Sequence, residues 1–390
     1  MSATPAIPKL FTPIQLNSDI QLQHRVVHAP MTRFRVDGET GVILPIVKEY
    51  YTQRASTPGT LLISEGTVFA KKGGGVYIPF TPENAGRFTG VAHGAWPGMW
   101  SAEQAAAWKE VTQAVHSQNS FIFCQIFGMG RAATPEILDH PDIGKFDLVS
   151  ASAIPLPGSS IVPRELTTAE VKEYVQLFVE SAKNAMSAGF DGVEAHCANG
   201  YLVDSFLQDV SNDRTDEYGG SIENRARLIL EIVRETARAI GENKVGVRIS
   251  PWSTFQGMLM DDPIPTFTYL VRTLRDEFPN LAYLHVIEPR ISGTDQAALS
   301  SQNAHHSNDF IREIWKGKPL ISAGGHTRAS ALEHGERGEL VAFARGFLAN
   351  PDLPVRLLND ISLTKGDRSK YYVNTVEGYT TYPVAGVVSA

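Results

Sequence analysis

Short apolar runs recur along the chain, each followed by a longer segment whose apolar residues return every three or four positions. The runs are VVHAP (26–30), TLLIS (60–64), FIFCQIF (121–127), GVEAH (192–196), KVGVRIS (244–250), AYLHVI (282–287), PLISA (319–323) and LVAFA (340–344). They do not alternate between apolar and polar, which suits strands covered on both faces, as in a parallel sheet. Between them, SAEQAAAWKEVTQAVHSQ (101–118) sets Trp108, Val111 and Val115 on one helical face. TTAEVKEYVQLFVESAKNAMSAG (167–189) offers Thr168 as a cap and stops at Gly189, and SIENRARLILEIVRETARAIG (221–241) opens on a serine cap and stops at Gly241. Eight strands alternating with helices predict an α/β fold, a single (β/α)8 TIM barrel. A two-domain doubly wound sheet is the alternative.

The 390 residues exceed the ~250 typical of such a barrel, so the excess is expected in loops and ends. Residues 128–166, rich in Gly, Pro and Ser, are expected to cap the mouth after strand 3. Residues 10–25 read as a hairpin that plugs the floor, and 366–390 as a wrap around the outside. Hydrophobic content of 43% with 20% charge is ordinary for a globular domain with a sizeable core. No apolar stretch approaches the roughly 18 residues of a membrane span. The start MSATPAIPKLFTP lacks a positive n-region and an apolar h-region, and Cys124 and Cys197 are the only cysteines. A soluble, cytoplasmic protein in a reducing compartment is therefore expected. The net charge of −7, without basic runs, argues against a nucleic-acid surface. The expected partner is a small molecule, and the expected assembly a monomer or homodimer.

Barrel active sites are built at the C-terminal ends of the strands. The residues just past each apolar run are therefore informative: Pro30, Met31 and Thr32; Glu65 and Gly66; Gln125; His196, Asn199 and Tyr201; Arg248; Gly324 and Gly325; Arg345 and Gly346. Any one of these can be read as a loop anchor, but together they are types that bind an anionic, hydrogen-bonding ligand. Glycines after strand 7 and Arg-Gly after strand 8 suit a phosphate held by backbone N–H groups, with a tight turn as the alternative. Gly73–Gly75 follows two lysines but lacks a strand-to-helix context and reads as a flexible turn. No metal site is expected, because HExxH and CxxC are absent and His305–His306 reads as a solvated pair. Cys197 and His196 do not form a nucleophile and base, since neighbours in an extended segment point apart.

EAHCANGYLVDSFLQ (194–208), followed by SNDRTDEYGGSIENRAR, closely resembles the signature of the old yellow enzyme family, flavin-dependent ene-reductases on a (β/α)8 barrel. LFTPIQL, APMTR, EYYTQRASTPGTLLISEG, PGMWSAEQ, GVRISP, SNDFIREIWKG and GFLANPDLP extend the likeness along the chain. FIFCQIFGMGRAA is similar to fungal members, among them reductases of ergot alkaloid pathways. The resemblance implies FMN, with NADPH as reductant. It implies Thr32 and Gly66 near the flavin C4 carbonyl with Pro30 on the same wall, Gln125 on the pyrimidine edge, and Arg248 near N1 and O2. Gly324, Gly325, Arg345 and Gly346 would hold the phosphate. His196 and Asn199 match the pair that binds a substrate carbonyl, Tyr201 the proton donor, Tyr372 an aromatic wall and Phe255 a second one. Phe127 departs from the family pattern, where several members carry Trp, a change that enlarges the pocket. The reaction implied is reduction of the C=C bond of α,β-unsaturated aldehydes or ketones. A redox-neutral isomerase, a reductase dedicated to one pathway metabolite, and a barrel that binds flavin or phenols without turnover are the other readings. Tyr201 weighs against the last, because a mere binding site needs no proton donor.

Overall fold

The computed structural model describes residues 6–75, 96–139, 144–292, 295–296, 306–373 and 375–385. Eight parallel strands form the barrel: β1 (Val26–His28), β2 (Leu61–Ile63), β3 (Phe121–Phe127), β4 (Gly192–Cys197), β5 (Val245–Ile249), β6 (Tyr283–Ile287), β7 (Leu320–Ala323) and β8 (Leu340–Phe343). They pair in the order β2-β1-β8-β7-β6-β5-β4-β3, and β3 returns to β2 through Leu61 and Phe121, which closes the ring. Helices α1 (Ile46–Arg54), α2 (Ala102–His116), α3 (Thr168–Ser187), α4 (Ile222–Ile240), α5 (Ile264–Glu277), α6 (Asp309–Trp315) and α7 (Arg328–Glu336) follow successive strands. The expected (β/α)8 barrel is therefore the fold.

Both faces of each strand are buried, which is why the apolar runs lack alternation. On β4, Val193, Ala195 and Cys197 join the apolar layer shared with the helices, as do Val245, Val247 and Ile249 on β5. The residues between them, Glu194, His196 and Arg248, therefore point into the barrel. The barrel floor is filled by Leu61, Ile63, Phe123, Tyr283, Ile321 and Leu340, joined by Leu16, Ile20 and Leu22. Those three come from an antiparallel hairpin in which Ile14 pairs with Leu22.

Several local expectations need correction. The cap of α3 is Thr167, not Thr168: its Oγ1 accepts the Glu170 N–H at 3.2 Å and the Glu170 carboxylate accepts the Thr167 N–H at 2.8 Å. A capping box needs a polar side chain three residues on that can accept, which Thr167 has in Glu170 and Thr168, followed by Val171, lacks. Gly73–Gly75 is a packed turn, since the Gly73 carbonyl accepts from Met129 N–H and the Gly75 carbonyl from Thr134 N–H. His306 stacks on Trp252, ring centres 4.2 Å apart, instead of standing in solvent; His305 lies outside the described residues. No helix of the described residues is long and apolar enough to cross a membrane.

The C-terminal segment is held by three buried arginines, Arg33, Arg35 and Arg54. Arg33 donates to the carbonyls of Tyr371 and Gly378, and Arg35 to those of Tyr371 and Thr375. The Arg54 guanidinium lies 3.6 Å from the Tyr50 ring centre, and the Tyr50 ring stacks at 4.4 Å on Tyr379. Carbonyls and aromatic faces thus receive most of this charge, in arrangements suited to guanidinium. Glu65, also buried, accepts the Arg33 backbone N–H at 3.1 Å. Burial pushes its carboxyl up to about 7 against the pull of Arg33 and Arg35.

A carboxyl raised in the folded state contributes stability that is complete below its unfolded value near 4.5 and lost as pH rises through about 7. Glu65→Gln lacks this titration. Relative to the variant, the wild type should lose up to about 3 kcal/mol between pH 5 and pH 8. Urea unfolding of both proteins across that range checks it, and a difference that is flat or moves the other way contradicts it.

Candidate active site

The turn after β4 carries the densest chemistry, and its backbone is unusual. Asn199 has φ +61° and Gly200 φ +72°. A side chain at Gly200 would press on Gln256 at 2.7 Å and Met258 at 2.9 Å, so only glycine serves there. Two side chains hold the strained turn. Ser250, just past β5, accepts the Asn199 N–H at 2.8 Å, and buried Asp204 accepts the Gly200 N–H at 2.8 Å. Gln208 donates to the other Asp204 oxygen at 3.0 Å. Neither Ser250 nor Asp204 has a role that the sequence alone suggests. Asp204 stands inside the motif of residues 194–208, but only the turn geometry reveals what it does.

Strand register brings the rest of the set together. Arg248 lies opposite both His196 on β4 and His285 on β6, and Gln125 on β3 lies opposite Glu194. His196, Tyr201 and Phe127 pack as one group: His196 and Tyr201 meet edge-on at 5.3 Å, Phe127 and Tyr201 edge-on at 5.2 Å, and Phe127 stacks on His196 at 5.9 Å. The Phe127 departure therefore touches both proposed reactive side chains. Burial, with Arg248 and His285 adding to it, holds the His196 imidazole well below its usual range, so it is neutral. Burial also pushes the Tyr201 phenol up to about 12, keeping it protonated across the physiological range.

One cavity of ≈ 450 Å³ lies at the barrel mouth. It is bordered by Pro30, Thr32, Gly66, Gln125, Arg248, Gly324, Gly325, Arg345 and Gly346, together with His196, Asn199, Tyr201, Phe127, Phe255 and Tyr372. Every residue singled out for cofactor, carbonyl or wall thus borders the same space. No described residue of 128–166 is among those that border it. That loop docks beside the mouth: Gly130 sits against Leu202, and Arg131 donates to the Gln256 carbonyl at 3.0 Å. Among the further residues that line the cavity and that the sequence did not single out are Trp96, Arg33, His326 and Arg368. Trp96 packs edge-on against Phe34 at 4.8 Å and completes an aromatic side with Phe127.

The lining includes four arginines and, among the described residues, no carboxylate. Arg248 Nε and His196 Nδ1 have no hydrogen-bond partner there, a costly state for buried polar atoms unless a ligand meets them. Gly324 (φ +124°) and Gly325 (φ +64°) turn their backbone along the wall beside Arg345. Arg290 braces this turn by donating to the Gly324 carbonyl and to His326. A flat, anionic group with hydrogen-bonding edges fits these surroundings, as FMN would: phosphate toward Gly324, Gly325 and Arg345, ring edges toward Gln125 and Arg248.

Comparison with known proteins agrees. Residues 9–364 match the model of the NADH:flavin oxidoreductase / NADH oxidase family. The chain is 42% identical over 381 residues to the "Chanoclavine-I aldehyde reductase fgaOx3" of Penicillium roqueforti (strain FM164), covering 96% of each chain. It is 44% identical over 385 residues to the "Probable inactive reductase easA" of Epichloe festucae var. lolii, covering 96% of this chain and 94% of that one. The crystal structure of Old Yellow Enzyme from Pichia sp. AKU4542 superposes with a TM-score of 0.83 at 33% identity, covering 98% of this chain and 96% of that one. The chain belongs to the NADH:flavin oxidoreductase / NADH oxidase family and is an FMN-dependent oxidoreductase of the old yellow enzyme type.

Proposed function

We propose that the protein reduces the C=C bond of α,β-unsaturated aldehydes or ketones. The observation that carries this reading is the convergence of a neutral imidazole, an amide and a protonated phenol on one side of the cavity, with Gln125 and Arg248 on the same lining. FMN, when bound and reduced by a nicotinamide, supplies the hydride for the β-carbon. Hydride addition at that carbon drives negative charge onto the carbonyl oxygen. His196 and Asn199 donate hydrogen bonds to that oxygen, and a preorganised donor of this kind is typically worth ~3–4 kcal/mol. Tyr201 then passes its Oη proton to the α-carbon, which completes net addition of H₂. Phe127, Trp96, Phe255 and Tyr372 give the substrate apolar walls and exclude water. The turn held by Ser250 and Asp204 keeps Asn199 and Tyr201 at fixed spacing while the oxygen gains charge. A barrel that only stores flavin or phenols would have no use for a phenol at this position.

Tyr201→Phe keeps the ring and its contacts but removes the acid. FMN content and flavin reduction by NADPH should remain near wild type, while reoxidation by cyclohexenone should slow about 10²–10⁴-fold. Stopped-flow traces of both half-reactions decide: equal slowing of the two, or unslowed reoxidation, would remove Tyr201 as the acid and with it the proposed reaction.

Asp204→Ala tests the turn. Leaving the buried Gly200 N–H without an acceptor should cost about 1–3 kcal/mol in urea unfolding. Reoxidation by enone should slow while flavin reduction is retained. Wild-type reoxidation in the variant would show that the turn needs no such anchor.

A further inference from the structure

Beneath the cavity lies a buried polar group that the proposed reaction does not use. Glu194 is fully buried, and both of its oxygens are engaged: Oε1 accepts the Gln125 Nε2–H at 2.7 Å, and Oε2 accepts the His285 Nδ1–H at 2.8 Å. The donors come from β3 and β6, one on each side of the pair β4 and β5, so the carboxylate on β4 bonds to both flanking strands across that pair. Its other neighbours at this level are Arg248 and Tyr283.

This arrangement acts on the cavity in two ways. An ionised carboxylate only accepts, so Gln125 must turn its NH₂ toward Glu194. The Gln125 carbonyl is then left on the cavity side, where its Oε1 lies 3.4 Å from the point a side chain on Gly66 would occupy. Gln125 therefore offers an acceptor to a ligand N–H. The second effect is electrostatic. Among the described residues Arg248 makes no ion pair, and Glu194 is the principal charge that favours its cation. Burial raises the Glu194 carboxyl, but His285, Arg248 and Gln125 outweigh it and hold the group ionised. Burial lowers the pKa of the His285 imidazole against the pull of Glu194.

We propose that Glu194 is a positioning residue that fixes the amide of Gln125 and offsets the charge of Arg248, and so holds the reduction potential of bound FMN below the value Arg248 alone would set. The proposal rests on FMN occupying this cavity, which flavin content reports independently of any potential.

The test measures midpoint potentials of FMN holoenzymes against a dye of known potential, together with the FMN dissociation constant. Glu194→Gln leaves Arg248 unopposed and should shift the equilibrium toward reduced flavin at least tenfold, about 30 mV for a two-electron couple. Arg248→Met should shift it the other way, and the double variant, which removes both opposing charges, should lie between the two single variants. Glu194→Asp keeps the charge but shortens the reach to Gln125, so it should bind FMN more weakly with little change in potential. An unchanged or lowered potential in Glu194→Gln, or a double variant that simply repeats Arg248→Met, would overturn the proposal. Should Glu194→Gln fail to hold FMN, the Asp variant decides alone: a tenfold shift there would assign the effect to packing rather than charge.

Discussion

Arg248 of β5 stands opposite His196 of β4, and the rest of the site depends on that register. Side chains on a strand alternate between faces, so a slip of one residue would send His196 and Glu194 into the helix layer and Cys197 into the barrel. The apolar face prevents the slip: Val193, Ala195, Cys197, Val245, Val247 and Ile249 are all buried against helices. Packing on the outside of the barrel thus determines which polar groups meet inside. The floor supports them from below. Phe123 and Tyr283 pack at 5.3 Å, and a side chain on Gly246 or Gly192 would overlap one ring or the other.

A second constraint works from the other end of the chain. The segment carrying Tyr371 and Tyr372 belongs to no strand or helix of the barrel, yet it forms one wall of the cavity. Arg33 and Arg35 fasten it through backbone carbonyls, and both lie just past Pro30, Met31 and Thr32. A single loop after β1 therefore lines one part of the cavity and fastens the segment that lines another. Buried guanidinium groups serve this well because they stay charged and carry five donors in a rigid fork.

The barrel was legible because its strands are short, apolar and punctuated by helices; each predicted run coincides with an observed strand, with ends differing by at most two residues. The site was legible where the residues stand at strand ends, as with Gln125, His196 and Arg248. Loop residues were not. Trp96, Arg33, His326 and Arg368 carry no periodic signal, and only the fold brings them to the mouth. Composition likewise marks 128–166 as irregular without saying where it docks. Glu194 was in plain view at the head of the motif of residues 194–208. Its partners lie 69 and 91 residues away, on strands that meet it only once the barrel has closed.

The central claim is that His196 and Asn199 together hold a substrate oxygen in the flavin cavity. A phenolate mimics that oxygen after it has gained charge, and a phenolate stacked on oxidised flavin gives a long-wavelength charge-transfer band. Titrating FMN-loaded wild type, His196→Ala and Asn199→Ala with p-hydroxybenzaldehyde tests the claim directly. The account predicts a saturable band in the wild type and binding weakened about tenfold or more in each variant, the loss expected for about 1.4 kcal/mol of hydrogen bonding. Equal affinity and equal bands in all three proteins would contradict it.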